Sequence, residues 1–342
     1  MTVGEAIDAV ASGRDLTAAE TQDVLAQVME GGVSEVQISA FLIALRTKGE
    51  TVEEVTGLAR TMRAMATRVD VDGDLLDTAG TGGGAPTFNV STTAAFVAAA
   101  AGSRVAKHGN RSATSKSGSA DLLEALGARI DLEPDAIARC VDEVGFGFMF
   151  APAHHSATRH VVPVRKALGV RTVFNFLGPL TNPAGANRQL IGVADPTKLE
   201  LIAGALCALG CERALIVSGT DGTDEVSVTA ETIVVEVSGG DFSRSTITPE
   251  DFGVERVALE ELAGGVPERN AEIARAVFSG EAGPHRSLVV VNAAAALVAA
   301  EAAPDFSSAA SLAREAIDSG AAADTLDRFV AATNSLAPEA VA

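Results

Sequence analysis

"DTAGTGGGAPTFNVSTTAAFVAAAAG", residues Asp77–Gly102, decides the fold. An apolar run ends in glycines at 80, 82, 83 and 84 and enters a helix made almost wholly of alanine. Strand, tight turn and helix in that order form the unit of a parallel sheet. Glycine permits positive φ and lets main-chain N–H groups approach an anion with no Cβ in the way. Asn89, Ser91 and Thr92 stand where they can cap the next helix. The positive end of that helix favours a bound negative group by roughly 0.3–2 kcal/mol. Two familiar phosphate motifs fit poorly. No Gly-Lys-Ser/Thr follows, and "GTGGGA" lacks the ribose-binding acid that a dinucleotide fingerprint carries about 20 residues on.

The same alternation extends outward. Strand-like runs are "DLLDTAG", "SRVAKHG", "ARIDL", "GFMFA", "QLIGVA", "RALIVSG" and "TIVVEV". Helical runs between them include "SADLLEALG", "PDAIARCVDEVG" and "PTKLELIAGALCALG", with Ala-rich helices from about Glu268 to Ala332. The first seventy residues instead read as helices only. "TAAE" (Thr17, Glu20), "SEVQ" (Ser34, Gln37) and "TVEE" (Thr51, Glu54) have capping-box spacing. The expected fold class is therefore α/β: a small all-helical N-terminal domain, residues 1–70, and a large α/β domain, residues 71–342. The latter holds a mostly parallel central sheet flanked by helices. "RTVFNFLGPLTNPAGANR", residues 171–188, has little periodicity and reads as a hinge or cleft wall.

Composition narrows the function. No apolar run reaches the ~20 residues that span a bilayer, and the start lacks a signal-peptide pattern. Cys140, Cys207 and Cys211 lack the partners of a zinc site and read as buried thiols in a reducing, cytoplasmic setting. A net charge of −19 argues against nucleic acid as a partner. The acids are unevenly spread: with 45 in 342 residues, about six are expected in each of Thr78–Ala120 and Val144–Ala194, and neither window has any. Those windows carry Arg104, Lys107, Arg111, Lys116, Arg159, Arg165, Lys166, Arg171 and Arg188. Two basic islands in an acidic chain read as one anion site folded from both.

A second strand-to-helix turn, "KHGNRSATSKSGSADLLEALG", places Lys107, His108, Asn110 and Arg111 directly after a strand, with Ser119 before the next helix. It reads as a clamp for a polyphosphate beside the glycine turn. In "GTDGTDEVS", Asp224 and Glu225 are adjacent acids with Asp221 close by. Magnesium takes one or two protein carboxylates, keeps several waters and borrows the remaining oxygens from a phosphate ligand.

Together "GTGG…TFNVSTTAAFVAAA", "VAKHGNRSATSKSGSADLLEALG", "FAPAHHSATRHVVPVRKALGVRTVFNFLGPLTNPA" and "DGTDEVS" resemble the anthranilate phosphoribosyltransferases, in order and over nearly the whole chain. The resemblance implies a helical domain completed by helices near 155–185, and a homodimer formed through it. It implies transfer of the 5-phosphoribosyl group of phosphoribosyl pyrophosphate (PRPP) to anthranilate with Mg2+, two ions accompanying PRPP. Carried over by position, Gly80, Gly83, Gly84, Thr87, Asn89, Val90, Ser91 and Thr92 contact PRPP, with Ser91, Asp224 and Glu225 on the metal. Lys107, His108, Gly109, Asn110, Arg111, Ser112, Ala113, Thr114 and Ser115 form a substrate-covering loop, and Ser119 is a further PRPP contact. Gly80, Asn110, His155, Arg165 and Gly178 face anthranilate, while Lys107 and Arg165 carry the catalytic roles.

One departure stands out: the family commonly has an aspartate where this chain has Gly84, in a loop one residue longer. A Gly84→Asp variant is expected to respond differently to excess magnesium. Two rivals remain open at this level, a pyrimidine-nucleoside phosphorylase of shared architecture and a non-catalytic nucleic-acid-binding relative. "KHGNR" with "RTVFNFLGPLTNP" points away from the first, and charge with the retained carboxylate pair away from the second.

Overall fold

Four helices open the chain: α1 (Val3–Ala11), α2 (Ala18–Met29), α3 (Glu35–Lys48) and α4 (Val52–Ala64). In the computed structural model, which describes residues 1–112 and 116–337, all three expected capping boxes form. A fourth, beyond those expected, joins Thr2 with Glu5. Glu54 does more than cap. Its buried carboxylate accepts from Leu16 N at 2.9 Å and Thr51 N at 2.8 Å, and pairs with Lys48 at 3.1 Å. One side chain thus ties the α1–α2 connection to α4, a use that makes its burial tolerable.

Seven strands then form one sheet in the order β3-β2-β1-β4-β5-β6-β7. They are β1 (Leu76–Gly80), β2 (Val105–Gly109), β3 (Phe146–Phe150), β4 (Arg188–Gly192), β5 (Arg213–Gly219), β6 (Thr232–Ser238) and β7 (Asp241–Ile247). The first five are mutually parallel, and β6 and β7 run antiparallel at one edge. β7 is absent from the expected strands because its residues up to Thr246 are exposed, leaving no apolar alternation to read. "ARIDL" is not a strand. Ala128, Ile130 and Leu132 are buried, but the Arg129 N–H donates to the Thr333 side chain at 3.1 Å instead of a strand neighbour.

The remaining helices are α5 (Val90–Ala100), α6 (Ser119–Ala125), α7 (Pro134–Val144), α8 (Ala151–His154), α9 (Val162–Leu168), α10 (Phe174–Leu177), α11 (Leu199–Ala208), α12 (Pro267–Phe278), α13 (Pro284–Ala299), α14 (Phe306–Asp318) and α15 (Ala321–Leu336). Alternate strand residues serve opposite faces. Leu190, Leu215 and Val217 join the core under α5 and the C-terminal helices, where Phe96 stacks on Phe146 at 4.0 Å. Ile191, Ala214 and Ile216 face the other way, onto α11 and the N-terminal bundle. Val161, Val164, Phe174, Leu177 and Leu180 pack into that second core.

Strand order reverses between β1 and β4, because β1 lies beside β2 on one side and β4 on the other. Ligands of open α/β sheets collect beyond the carboxyl ends at such a point. There Gly80 and Gly192 are register partners. A Cβ on Gly192 would sit 1.6 Å from the Asp224 carbonyl oxygen, so the β5–β6 connection rests directly on the glycine. Gly192→Ala is expected to cost about 1–3 kcal/mol of stability, the usual scale of overpacking, and to lift the Asp224–Glu225 segment off the sheet. Urea unfolding measures the first effect, and a crystal structure of the variant the second.

Candidate functional site

The glycine turn leaves β1 with Gly82 and Gly83 at positive φ, +64° and +84°. Its contacts explain its composition. Gly82 N donates to Asp224 Oδ2 at 2.8 Å. A Cβ at Gly80 would meet the same carboxylate at 2.9 Å, and one at Gly84 would meet Asp224 Oδ1 at 2.6 Å. Gly83 lies under the Arg171 guanidinium, 2.1 Å from where its Cβ would be. Arg171 donates to the carbonyls of Gly82 at 2.7 Å and Thr81 at 3.0 Å. In the sequence Arg171 belongs to a basic island and opens the hinge segment. In the fold it holds the turn from the hinge side.

Thr87 closes the loop by donating to Glu225 Oε1 at 2.8 Å. Asn89 precedes α5, but its side chain makes no cap bond. It reaches instead to the Ser117 carbonyl at 3.0 Å and accepts from Ser117 Oγ at 2.8 Å and from Asn270 Nδ2 at 2.7 Å. The expected cap is thus replaced by a bridge between the two phosphate-type turns. Val90, Ser91 and Thr92 form the first turn of α5, with Val90 and Thr92 buried.

Lys107 leaves β2 almost wholly buried, 2% exposed. Its ammonium donates to the Thr78 carbonyl, to Thr78 Oγ1 at 3.2 Å and to Ser91 Oγ at 3.4 Å. Burial lowers it to about 8, although nearby Asp77 opposes the shift. It supports the site from beneath. Asp77 accepts from His108 N at 3.1 Å and Asn182 Nδ2 at 2.8 Å, and burial raises its carboxyl despite those bonds and Lys107.

Of the covering loop, Ala113, Thr114 and Ser115 lie outside the described residues. Gly109 ends β2, and Ser119 Oγ bonds both the N–H and carbonyl of Asn110. Arg111 is turned to Asp121 at 2.9 Å and Glu124 at 2.5 Å, and Ser112 N donates to Asp121.

A second group gathers on the hinge side. His108 Nδ1 lies 3.2 Å from the Gly178 carbonyl, and His155 Nε2 lies 3.1 Å from that of Thr181. The two rings are 5.1 Å apart. Burial lowers both, His108 to about 3 and His155 to about 4, so both are neutral at pH 7. His154 instead faces the Thr67 carbonyl at 2.7 Å. Arg165, on α9, lies 5.6 Å from the Phe174 ring centroid. Burial, then the Arg171 charge, lowers it. Among the described residues it forms no salt bridge, which leaves a guanidinium for an incoming carboxylate.

The carboxylate pair is half-buried. Burial raises Asp224, and burial reinforced by Asp224 raises Glu225 well above its usual range. Glu225 Oε2 is buried and, among the described residues, unpartnered. A cavity of about 20 Å³ beside it is lined by Thr78, Ser91, Asp224, Glu225 and Asn292 among others. An orphaned carboxylate oxygen beside a second carboxylate and a serine hydroxyl suits a hard divalent cation. Asp221 is excluded from that role. Burial raises it, but Ser227, Thr229 and Thr223 bond its carboxylate and lower it overall. A larger cavity, about 440 Å³ around Gly253–Val257 and Arg314, contains none of these groups.

Comparisons with known proteins agree with this geometry. Residues 4–66 match the helical bundle domain of a glycosyl transferase family, and residues 72–323 match that family's a/b domain. The chain is 51% identical to anthranilate phosphoribosyltransferase of Symbiobacterium thermophilum over 332 residues, 96% of this chain and 97% of that one. The anthranilate phosphoribosyltransferase structure from Thermus thermophilus superposes with a TM-score of 0.91 at 45% identity, covering 96% and 99% of the two chains. The Saccharomyces cerevisiae enzyme in complex with PRPP and Mg gives 0.89 at 29% identity, covering 98% of each.

Gly84→Asp would press a third carboxylate against Asp224, whose main-chain N and Oδ1 stand 2.7 and 2.6 Å from the new Cβ. The variant is expected to show an altered Mg2+ binding isotherm in the presence of PRPP, measured by titration calorimetry. An isotherm equal to wild type would contradict the packing argument.

Proposed function

This chain belongs to the anthranilate phosphoribosyltransferase family, and we propose that the two groups of side chains at the β1–β4 switch point are its PRPP and anthranilate subsites. The enzyme transfers the 5-phosphoribosyl group of PRPP to the amine of anthranilate, giving N-(5-phosphoribosyl)anthranilate and pyrophosphate, the second step of tryptophan biosynthesis from chorismate. The observation that carries the site reading is the closure of Asp224 and Glu225 onto Gly82 and Thr87, at the end of the strand that Lys107 supports.

Departure of pyrophosphate leaves an oxocarbenium-like C1, so the main demand is on stabilising negative charge as it develops. The N-terminus of α5, the N–H groups of the glycine turn and the buried Lys107 ammonium meet that demand. Asp224, Glu225 and Ser91 would hold Mg2+, and we assign two ions to the PRPP complex. Held there, Mg2+ would supply Lewis-acid stabilisation of the charge that leaves with pyrophosphate. Arg165 grips the anthranilate carboxylate while His155, Gly178 and Asn110 border the ring. The neutral aryl amine requires no strong base, so positioning supplies the remaining gain.

Val36 on α3, with Val162 and Val170 on and after α9, is exposed at 78%, 52% and 43%. α3 packs against α9, which places Val36 and Val162 on neighbouring helices. This supports a homodimer formed through the helical domain. Three free cysteines fit a cytoplasmic enzyme. No helix among the described residues is long and apolar enough to cross a membrane.

The reading is tested by mixing protein, PRPP, Mg2+ and anthranilate and following loss of anthranilate fluorescence. No loss with all components present would overturn it. Lys107→Ala should lower kcat at least 100-fold, whereas Arg165→Ala should chiefly raise the anthranilate KM, by tenfold or more. Because Lys107 is an ammonium below about 8 and neutral above, wild-type kcat should be full at pH 7 and fall as pH rises through that value. The residual activity of Lys107→Ala should lack that inflection.

A further inference from the structure

We propose that Asn292 is the positioning residue of the carboxylate pair: its amide fixes the main chain of Val226 and so sets the direction in which Glu225 faces the metal and pyrophosphate. This rests on the site reading above. Leu288–Ala299 of α13 is a run of twelve buried residues, and Asn292 is its only polar side chain. A buried amide is tolerated only where its donors and acceptor are matched. Asn292 is 3% exposed and fully matched. Its Oδ1 accepts from Val226 N at 3.0 Å, and its Nδ2 donates to the carbonyls of Val226 at 2.9 Å and Leu288 at 2.9 Å.

Val226 follows Glu225 directly, in the connection between β5 and β6 and outside the strand ladder. Engaging both the N–H and the carbonyl of one residue is what a neighbouring strand would do, and here one side chain does it. That grip matters because little else aims Glu225. Thr87 bonds Oε1, and Oε2 has no partner among the described residues. Asn292 also lines the small cavity shared by Ser91, Asp224 and Glu225.

The same helix reaches the other half of the site. His285, in the first turn of α13, packs edge-on against Phe88 with centroids 5.1 Å apart, and Phe88 lies between Thr87 and Asn89. One buried helix therefore supports the carboxylate loop through Asn292 and the end of the glycine turn through His285. A shift of the Asn292 amide moves Glu225 relative to Ser91, and the penalty falls on metal affinity in the PRPP complex.

Mn2+ serves as the probe, its free signal read by electron paramagnetic resonance with and without PRPP. Asn292→Leu keeps the volume and removes the grip. Asn292→Asp keeps the acceptor for Val226 N but turns an oxygen toward the two carbonyls. Val289→Ala, a buried neighbour on the same helix, is the control for general loosening. Asn292→Leu should raise the PRPP-dependent Mn2+ Kd at least tenfold, with Asn292→Asp showing a loss in the same direction. The anthranilate KM should stay within about twofold in both. Val289→Ala should lower Tm and leave the Mn2+ Kd unchanged.

Unchanged Mn2+ affinity in both Asn292 variants, or an equal shift in Val289→Ala, would overturn the proposal. If Asn292→Leu does not fold, Asn292→Asp decides alone. Wild-type protein that shows no PRPP-dependent Mn2+ binding would instead sink the site reading and the proposal with it.

Discussion

Everything at the carboxyl edge of the sheet depends on the absence of two side chains. Gly80 and Gly192 end neighbouring strands in register, and the space above them admits the peptide that carries Asp224 and Glu225. Packed interiors do not yield several tenths of an ångström without cost, so this contact fixes how far the acids stand from the glycine turn. The turn is then held from two directions, by Asp224 on Gly82 N and by Arg171 on the carbonyls of Thr81 and Gly82. Its glycines serve protein contacts as much as any ligand.

Much of this is legible in the sequence, because the signals are local. Capping boxes involve residues three apart, and strand–turn–helix units announce themselves by glycine and periodicity. The charge map also carries information: the two acid-free windows meet where His108 faces Gly178 and where Arg171 donates to Thr81 and Gly82. What stays hidden depends on long-range partners. "ARIDL" has the alternation of a strand but no strand beside it. β7 has a partner but no alternation. Asn89 has the position of a cap, yet Asn270 and Ser117 claim its side chain. Asn292 carries no motif at all, and Arg171 opens "RTVFNFLGPLTNP" without betraying its partner, since both roles arise from carbonyls and N–H groups that only folding brings near.

Electrostatically, the site sets half-buried acids against a buried ammonium. Asp224 and Glu225 are raised and Lys107 is lowered, each chiefly by burial. Such groups hold charge best when a ligand or ion of opposite sign arrives. The acceptance of Gly82 N by Asp224 means that a protein carboxylate now occupies a donor suited to phosphate.

The Asn182 amide has a mechanical corollary. Its Nδ2 donates to Asp77 and to the Ala106 carbonyl, while its Oδ1 accepts from Ala184 N and Ala186 N. Residues 182–186 are in effect riveted to the first two strands. Just upstream of this anchored segment lie the Gly178 and Thr181 carbonyls that His108 and His155 face, so the two imidazoles stand where the fixed chain begins.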